Sequence, residues 1–401
     1  MRRYDSNLGN ALLGHGPGSR FAHPGYLALI PSGRDPARLR SVISCCPMGT
    51  SLGNQRIFLN ASPSLCFSQQ PMIQQPKRGE RFTVVRSEGP LDNALRGAVV
   101  AIGNFDGVHR GHRAVIAAAR TRAQVLGCPA AALTFEPHPR RFFSPDEPLF
   151  RLTDEQAKLH LLSGAGLDGA IVLRFDARLA QLSAQDFISE ILVERFAVTG
   201  VAIGFDFHFG LNRAGTPGYL ASLGPEFGFA VDIVPRFEHA GRLVRSGLVR
   251  EALAAGRISE ATDLLGYPWF VSAEVIHGDK RGRELGYPTA NLRLDPACRL
   301  AHGIYAVRVG FEGRRYDGVA SFGRRPMFDQ GIVLLEVFVF DFSGDLYGRA
   351  MDVVFIDWIR PEQKFDSVEK LIRQMDEDCR AARVALKRAP DAFPRLGSVP
   401  G

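Results

Sequence analysis

No apolar run in this 401-residue sequence approaches the roughly 18 residues that a membrane-spanning helix needs, which excludes a helical membrane protein. The six cysteines form no CxxC pair, and Cys128, Cys298 and Cys379 are scattered, so neither a zinc site nor a disulfide framework is indicated and a reducing cytoplasm is expected. Lysine is scarce, six of 49 basic residues, and none precedes Ser or Thr, which excludes a Walker A loop. No internal repeat is visible.

The formal net charge of +7 suggests an acidic partner such as nucleic acid until its position is considered. Residues 1–79 hold nine of the 49 basic and two of the 42 acidic side chains, leaving 40 of each in residues 80–401. The patterned chain is therefore neutral, and neither a nucleic-acid nor a membrane partner is expected. The leader also carries 17 Gly or Pro, nine Ser and three Cys (Cys45, Cys46, Cys66) without apolar periodicity, a composition that cannot offset the entropy of ordering. Three readings compete for it. A secretory signal lacks its apolar h-region, since only Ala11-Leu12-Leu13 follows Arg2-Arg3 closely and no apolar run in the leader reaches seven residues. A transit peptide lacks amphipathicity. A dispensable disordered tail or an early start, with Met72 as the true first residue, fits the composition.

From about residue 98, apolar runs of strand length (98–103, 130–135, 170–175, 198–203, 229–234) alternate with helical spacing at 112–126, 154–162, 184–196 and 217–223. Wholly apolar strands separated by helices imply a parallel sheet covered on both faces, an α/β domain. After Tyr267-Pro268 the texture becomes short, alternating and β-branched (270–276, 305–309, 334–340, 351–356), and one helix follows over 367–386 with Asp366 or Ser367 as N-cap. This reads as a small antiparallel barrel closed by a helix, with a linker between the helical 251–255 stretch and Trp269.

The first strand runs into GNFDGVHRGH, residues 103–112, and then a helix. Gly103, Gly107 and Gly111 permit a tight turn and close backbone approach, and the helix N-terminus points free N–H groups at the loop, so a phosphate-binding corner is expected. His109 and His112, three apart, fall on one side of the first helical turn, where two imidazoles can donate to phosphate oxygens and offset charge developing at an attacked phosphorus. The segment resembles the HxGH signature of the nucleotidylyltransferases. In its GxFDGxHxGH form it closely resembles the adenylyltransferase module of the bacterial bifunctional riboflavin kinase/FMN adenylyltransferases, or FAD synthetases. FEPHP (135–139) resembles that family's PHP loop, GFDFHFG (204–210) its flavin-side loop, and Arg250 in RSGLVREAL stands where its SSTxIR motif ends. The resemblance implies catalytic roles for His109, His112 and Arg250. It implies ATP contacts from Gly103, Asn104, Phe105, Asp106, Gly107, Gly111 and Ser246, and flavin contacts from Pro137, His138, Asp206 and Phe207. Arg245 and Gly247 replace the family's Ser and Thr around Ser246.

A second constellation, HGDKRGRELGYPTANL (277–292), begins basic and Gly-rich and ends in Pro288-Thr289-Ala290-Asn291. Oxygens two residues apart on an extended segment share a face, which suits a hard Mg²⁺ ion carrying phosphates, while Gly282 and Gly286 admit a nucleotide. By spacing alone, a proline turn with Asx-type hydrogen bonds accounts for the same residues. The PTAN motif, with GIYAVRV (303–309), GVASFGRRPMF (318–328) and LLEVFVFDFSGDLYG (334–348), resembles the riboflavin kinase domain, a six-stranded barrel. That resemblance makes Thr289 and Asn291 Mg²⁺ and ATP ligands, places Gly282 and Gly286 at ATP, and makes Glu336 the general base. Ser321 and Met327 stand where the family often has Asn and Thr.

The expectation is thus an α/β chain: a Rossmann-like nucleotidylyltransferase domain over residues 90–262, a six-stranded riboflavin kinase-like barrel with its C-terminal helix over 267–388, and flanking segments 1–79 and 389–401. The implied function is phosphorylation of riboflavin to FMN by the barrel and adenylylation of FMN to FAD by the α/β domain, with riboflavin, FMN, FAD and ATP as small-molecule partners, Mg²⁺ as cofactor and the cytoplasm as location. The alternatives are a monofunctional riboflavin kinase with a weakened adenylyltransferase domain, or a basic nucleic-acid-binding protein, which would need its charge on a folded face.

Overall fold

Strands that are apolar at every position need cover on both faces, and the structure, a computed structural model, builds that arrangement. It describes residues 82–87, 95–278, 286–324, 333–391 and 393–399, all within one compact unit. The α/β half comprises β1 (Thr83–Arg86), β2 (Val99–Ile102), α1 (Arg110–Leu126), β3 (Ala130–Glu136), α2 (Pro139–Phe143), α3 (Glu155–Gly164), β4 (Gly169–Arg174), α4 (Ala177–Gln181), α5 (Ala184–Asp186), β5 (Gly200–Gly204), α6 (Pro217–Leu223) and β6 (Ala230–Val234). A two-residue hairpin, β7 (Glu238–His239) and β8 (Arg242–Leu243), leads to α7 (Ser246–Ala254) and α8 (Ile258–Leu265).

The sheet is parallel throughout, in the order β1-β4-β3-β2-β5-β6. From β2 the chain builds outward through β3 and β4 on one side, then returns to β5 and β6 on the other. The crevice at the carboxyl ends of β2 and β5 is therefore a topological switch point, where ligands of open α/β sheets bind. The helix expected over 184–196 forms only as α5 and then widens into a π-helix, Phe187–Arg195; its longer repeat brings Phe187 and Leu192, five apart, to the buried face.

The second half contains β9 (Phe270–Ile276), β10 (Thr289–Arg293), β11 (Gly303–Phe311), β12 (Arg314–Arg324), β13 (Val333–Val339), β14 (Ala350–Pro361) and α9 (Val368–Arg388). The strands close an antiparallel six-stranded barrel, β10-β13-β12-β11-β14-β9. Helix α9 begins at the Ser367 cap, whose hydroxyl accepts from Lys370 N (3.3 Å), and packs Ala382 and Leu386 against Ala306, Val319 and Phe340.

The structure corrects two readings. The expected linker between residue 255 and Trp269 is mostly α8, which buries Ile258, Ala261, Leu264 and Leu265, residues at helical spacing. The segment after residue 388, expected as a tail, docks on α3: Gly397 N donates to His160 O (2.9 Å) and the His160 ring meets Gly397 O (2.8 Å). The two halves also share a core. Trp269, 2% exposed, stacks on Phe355 (5.1 Å), meets Phe150 edge-on (5.8 Å) and donates its indole N–H to Leu152 O (2.8 Å). Roughly 150–250 Å² of buried indole surface contributes about 4–6 kcal/mol toward fixing this junction, before ordering entropy is counted.

Candidate functional site

Three segments singled out in the sequence leave the carboxyl ends of adjacent strands: 103–112 after β2, 137–139 after β3 and 205–210 after β5. His109 is the N-cap of α1. Its Nδ1 accepts from His112 N (3.2 Å), which leaves Nε2 to carry the proton, and the two rings stack with centroids 3.6 Å apart. Burial, helped by the Arg250 charge, pulls His109 down to about 4, and burial with His109 and Lys158 nearby holds His112 well below its usual range. Both imidazoles are neutral at pH 7, so they serve as hydrogen-bond donors rather than charges. Within the loop Gly107 has φ +82°, and a Cβ there would lie 2.8 Å from Leu152 Cδ1, so the close approach requires glycine.

Asp106 was expected at ATP, but the fold turns its side chain inward. One oxygen accepts from Leu152 N (2.9 Å) and Thr153 N (3.2 Å), and the other pairs with Arg250 Nη2. Asp106 therefore aims Arg250, whose Nε also donates to Phe150 O (2.6 Å). Phe105 is 1% exposed, with its ring beneath Gly103, so only its backbone faces the loop. Asn104 is exposed, and Gly111 follows directly beside the His109 ring. The Ser246 hydroxyl donates to Asp106 O (2.9 Å), pinning the start of α7 to the loop.

Pro137 is exposed. His138 caps α2 through Nδ1, accepting from Arg140 N (3.1 Å), and burial lowers it to about 4. Asp206 is exposed and Phe207 stacks on Phe209 (5.5 Å) across the mouth of β5.

Sequence reasoning missed a buried charge cluster behind this crevice. Lys158 on α3 is 2% exposed; its Nζ meets Glu136 Oε1 at 2.6 Å and Thr134 Oγ1 at 3.4 Å, and Arg151 Nη2 reaches the same carboxylate oxygen at 2.7 Å. One available signal was a lysine inside the apolar run Ala157, Leu159, Leu161, Leu162 in a chain poor in lysine.

In the barrel, register joins residues far apart in sequence. Asn291 on β10 lies opposite Glu336 on β13, and Glu336 lies opposite Ser321 on β12, forming one polar row across three strands. Cross-strand partners share a face with Cβ atoms about 5 Å apart. Glu336 is half-buried between the buried Leu335 and Val337, which point to the other face. Thr289, two residues before Asn291, shares its side, and Asn291 is 4% exposed. A Cβ on Gly278 would lie 2.3 Å from Asn291 Nδ2, so that backbone forms the wall of the Asn291 site. Gly286 is exposed with φ +87°. Gly282 and Met327 lie outside the described residues, as do Lys280, Arg281 and Arg283.

The family model of FAD synthetase matches residues 91–248 and that of riboflavin kinase matches residues 265–386. These matches define the class: a two-module flavin-nucleotide enzyme, nucleotidyltransferase sheet first and kinase barrel second. The chain is 43% identical over 301 residues to the bifunctional riboflavin kinase/FMN adenylyltransferase of Pseudomonas fluorescens, covering 75% of this chain and 96% of that one. It is 41% identical over 288 residues to the protein of the same name from Escherichia coli K12, covering 72% and 92%. The chain belongs to the bifunctional riboflavin kinase/FMN adenylyltransferase family. A crystal structure from Streptococcus pneumoniae, described as a macrolide-efflux protein, superposes with a TM-score of 0.67 at 31% identity, covering 75% of this chain and 98% of that one. Among the described residues, no helix is long and apolar enough to cross a membrane.

Proposed function

We propose that this chain carries out both reactions of its family: the barrel phosphorylates riboflavin to FMN, and the α/β domain transfers AMP from ATP to FMN, releasing pyrophosphate. The observation that carries the reading is the Asn291–Glu336–Ser321 row, because it sets a carboxylate beside hard oxygen donors on one barrel face. Residues 267–388 are the kinase module and residues 90–262 the adenylyltransferase module; a cytoplasmic location goes with this reading.

In the kinase step Glu336 takes the proton from the ribityl 5′-hydroxyl as that oxygen attacks the γ-phosphorus and ADP leaves. Thr289 and Asn291 would hold Mg²⁺: their oxygens are the hard donors that ion prefers, and the Gly278 backbone closes the space behind Asn291. Bound there, the ion supplies charge neutralisation to the ATP phosphates. In the adenylylation step a phosphate oxygen of FMN attacks the α-phosphorus of ATP. The neutral His109 and His112 donate to the phosphate oxygens, and Arg250, aimed by Asp106, supplies fixed positive charge. Gly103, Asn104, Gly107 and Gly111 provide the backbone cradle, and His138, Pro137, Asp206 and Phe207 form the flavin side.

The test is product analysis from riboflavin plus ATP. His109→Ala with His112→Ala stops FAD formation and leaves FMN formation. Glu336→Ala lowers FMN formation by about a hundredfold or more, with FAD still made from supplied FMN. A folded histidine variant that loses both products overturns the division of labour, and FMN without FAD from the wild type overturns the two-step reading.

A further inference from the structure

Beside α1 a cavity of about 830 Å³ lies between α1, α8, strand β14, the end of α9 and the C-terminal segment. Five arginines are among its lining residues: Arg110, Arg113 and Arg120 from α1, with Arg388 and Arg395 from beyond the barrel. Three carboxylates also line it, so cations prevail. Asp357 accepts from Trp358 N (2.9 Å) and Asp391 lies 3.9 Å from Arg315, neither paired with a cavity arginine. Arg110 donates through Nε to Asp263 O (2.7 Å). The guanidinium groups of Arg113, Arg120, Arg388 and Arg395 make no hydrogen bond or ion pair among the described residues, and Arg113 Nε is shielded from solvent as well. Arg388 and Arg395 are exposed and Arg113 and Arg120 partly buried, so a bound anion would give these arginines the charged partner they lack.

The rest of the lining is mostly apolar, with Ser259 and Thr262 as its hydroxyl groups. Tyr267, Phe393, Ile116 and Ile356 are its larger apolar members. The volume falls in the range of small-molecule sites, roughly 300–1,000 Å³. Forked cations beside aromatic faces fit a phosphate ester attached to a planar heterocycle.

This cavity also touches the phosphate loop. The Arg113 guanidinium lies 5.1 Å from the centroid of the Tyr267 ring, and the Tyr267 hydroxyl donates to Gly107 O (2.6 Å). Arg113 directly follows His112 in the first turn of α1.

We propose that the cavity is a second ligand site, separate from both catalytic centres, that takes a mononucleotide and reports its occupancy to the 103–112 loop through Arg113 and Tyr267. The shared chemistry admits two sources, a flavin mononucleotide or an adenine mononucleotide. The proposal does not depend on which residues perform catalysis.

The experiment counts sites by equilibrium dialysis on the full chain, with FMN and with AMP as separate probes, in wild type and in Arg120→Gln/Arg388→Gln. Both substituted groups lie outside the catalytic machinery, so FMN formation from riboflavin, which does not use the 103–112 loop, stays at the wild-type level. For one probe, wild type is expected to bind one equivalent more than the variant, or the same equivalent at least about tenfold more tightly, as expected for losing charge-assisted hydrogen bonds. FMN as that probe makes the ligand a flavin nucleotide, and AMP makes it an adenine nucleotide. Ala117→Glu, which adds a carboxylate to the exposed lining of α1, gives the same loss without removing an arginine. Equal stoichiometry and affinity for both probes in wild type and variants overturns the proposal.

Discussion

Lys158→Met tests the buried charge cluster most directly. Methionine keeps the length of the side chain and removes the ammonium, leaving Glu136, 11% exposed, with Arg151 as its remaining cation at 2.7 Å. Stranding a buried charge costs roughly 3–5 kcal/mol. Two effects reduce that here. Arg151 still satisfies one carboxylate oxygen, and burial already opposes the ammonium, whose pKa lies below the usual lysine value despite Glu136. The expected loss is about 2 kcal/mol, or about 4–8 °C in melting temperature for a domain of this size. Lys158→Met/Glu136→Gln/Arg151→Met, with all three charges removed, regains at least half of that loss. Thermal unfolding of the full chain, followed by circular dichroism, gives the stabilities. A melting temperature within about 1 °C of wild type, or a triple variant less stable than the single one, would refute the reasoning.

Two further outcomes follow from the same geometry. His109 falls from 6.5 to about 4 on folding, so between those values the unfolded chain binds the extra proton. Stability is therefore full above pH 6.5 and is lost as pH falls toward 4, by about 2 kcal/mol at pH 5 relative to pH 8 from this residue alone. Guanidinium midpoints at the two pH values measure this, and His109→Asn should flatten the dependence; an unchanged slope in that variant contradicts the assignment. Gly278→Ala places a methyl group 2.3 Å from Asn291 Nδ2 and displaces that side chain. FMN formation is expected to drop at least about tenfold while FAD formation from FMN persists, as judged by product chromatography; wild-type FMN formation would show that the Asn291 site tolerates the displacement.

The sheet was legible because β2, β3, β4 and β5 are apolar at nearly every position, a pattern that only two-sided cover explains. Strand β1 was not, since its four residues follow a Gly- and Pro-rich leader and pair only at the edge, with β4. Helix α8 was missed because Gly256 and Arg257 interrupt the helical pattern and leave eight residues, too short for periodicity to stand out. The loop histidines were legible because they are three apart in one segment. The Glu136–Arg151–Lys158 cluster was not, since its members come from a strand end, a loop and a helix face, and only the packing of α3 on the sheet brings them together. The Asn291–Glu336 pair is similar: each residue stands out in its own strand, but their meeting is a property of barrel register.

The arrangement of buried charge bears on how the α/β site handles polyphosphate. Arg250 is fixed by Asp106, and Lys158 and Arg151 are fixed by Glu136, so the cations around the crevice are held by carboxylates that point away from the loop. These same cations oppose protonation of His109, His112 and His138. Positive charge and hydrogen-bond donation therefore reside in separate groups. A protonated imidazole in this crevice would add charge but would also titrate as pyrophosphate forms and leaves. A neutral imidazole held by a helix N-cap keeps its donor direction, while arginine, which does not titrate, supplies the charge. On this argument adenylylation should be nearly independent of pH above about 6.5 in its imidazole contribution, and replacing Arg250 with lysine should be more damaging than its conserved charge suggests. Lysine keeps one positive charge but cannot donate simultaneously to Phe150 O and to Asp106 from a planar fork.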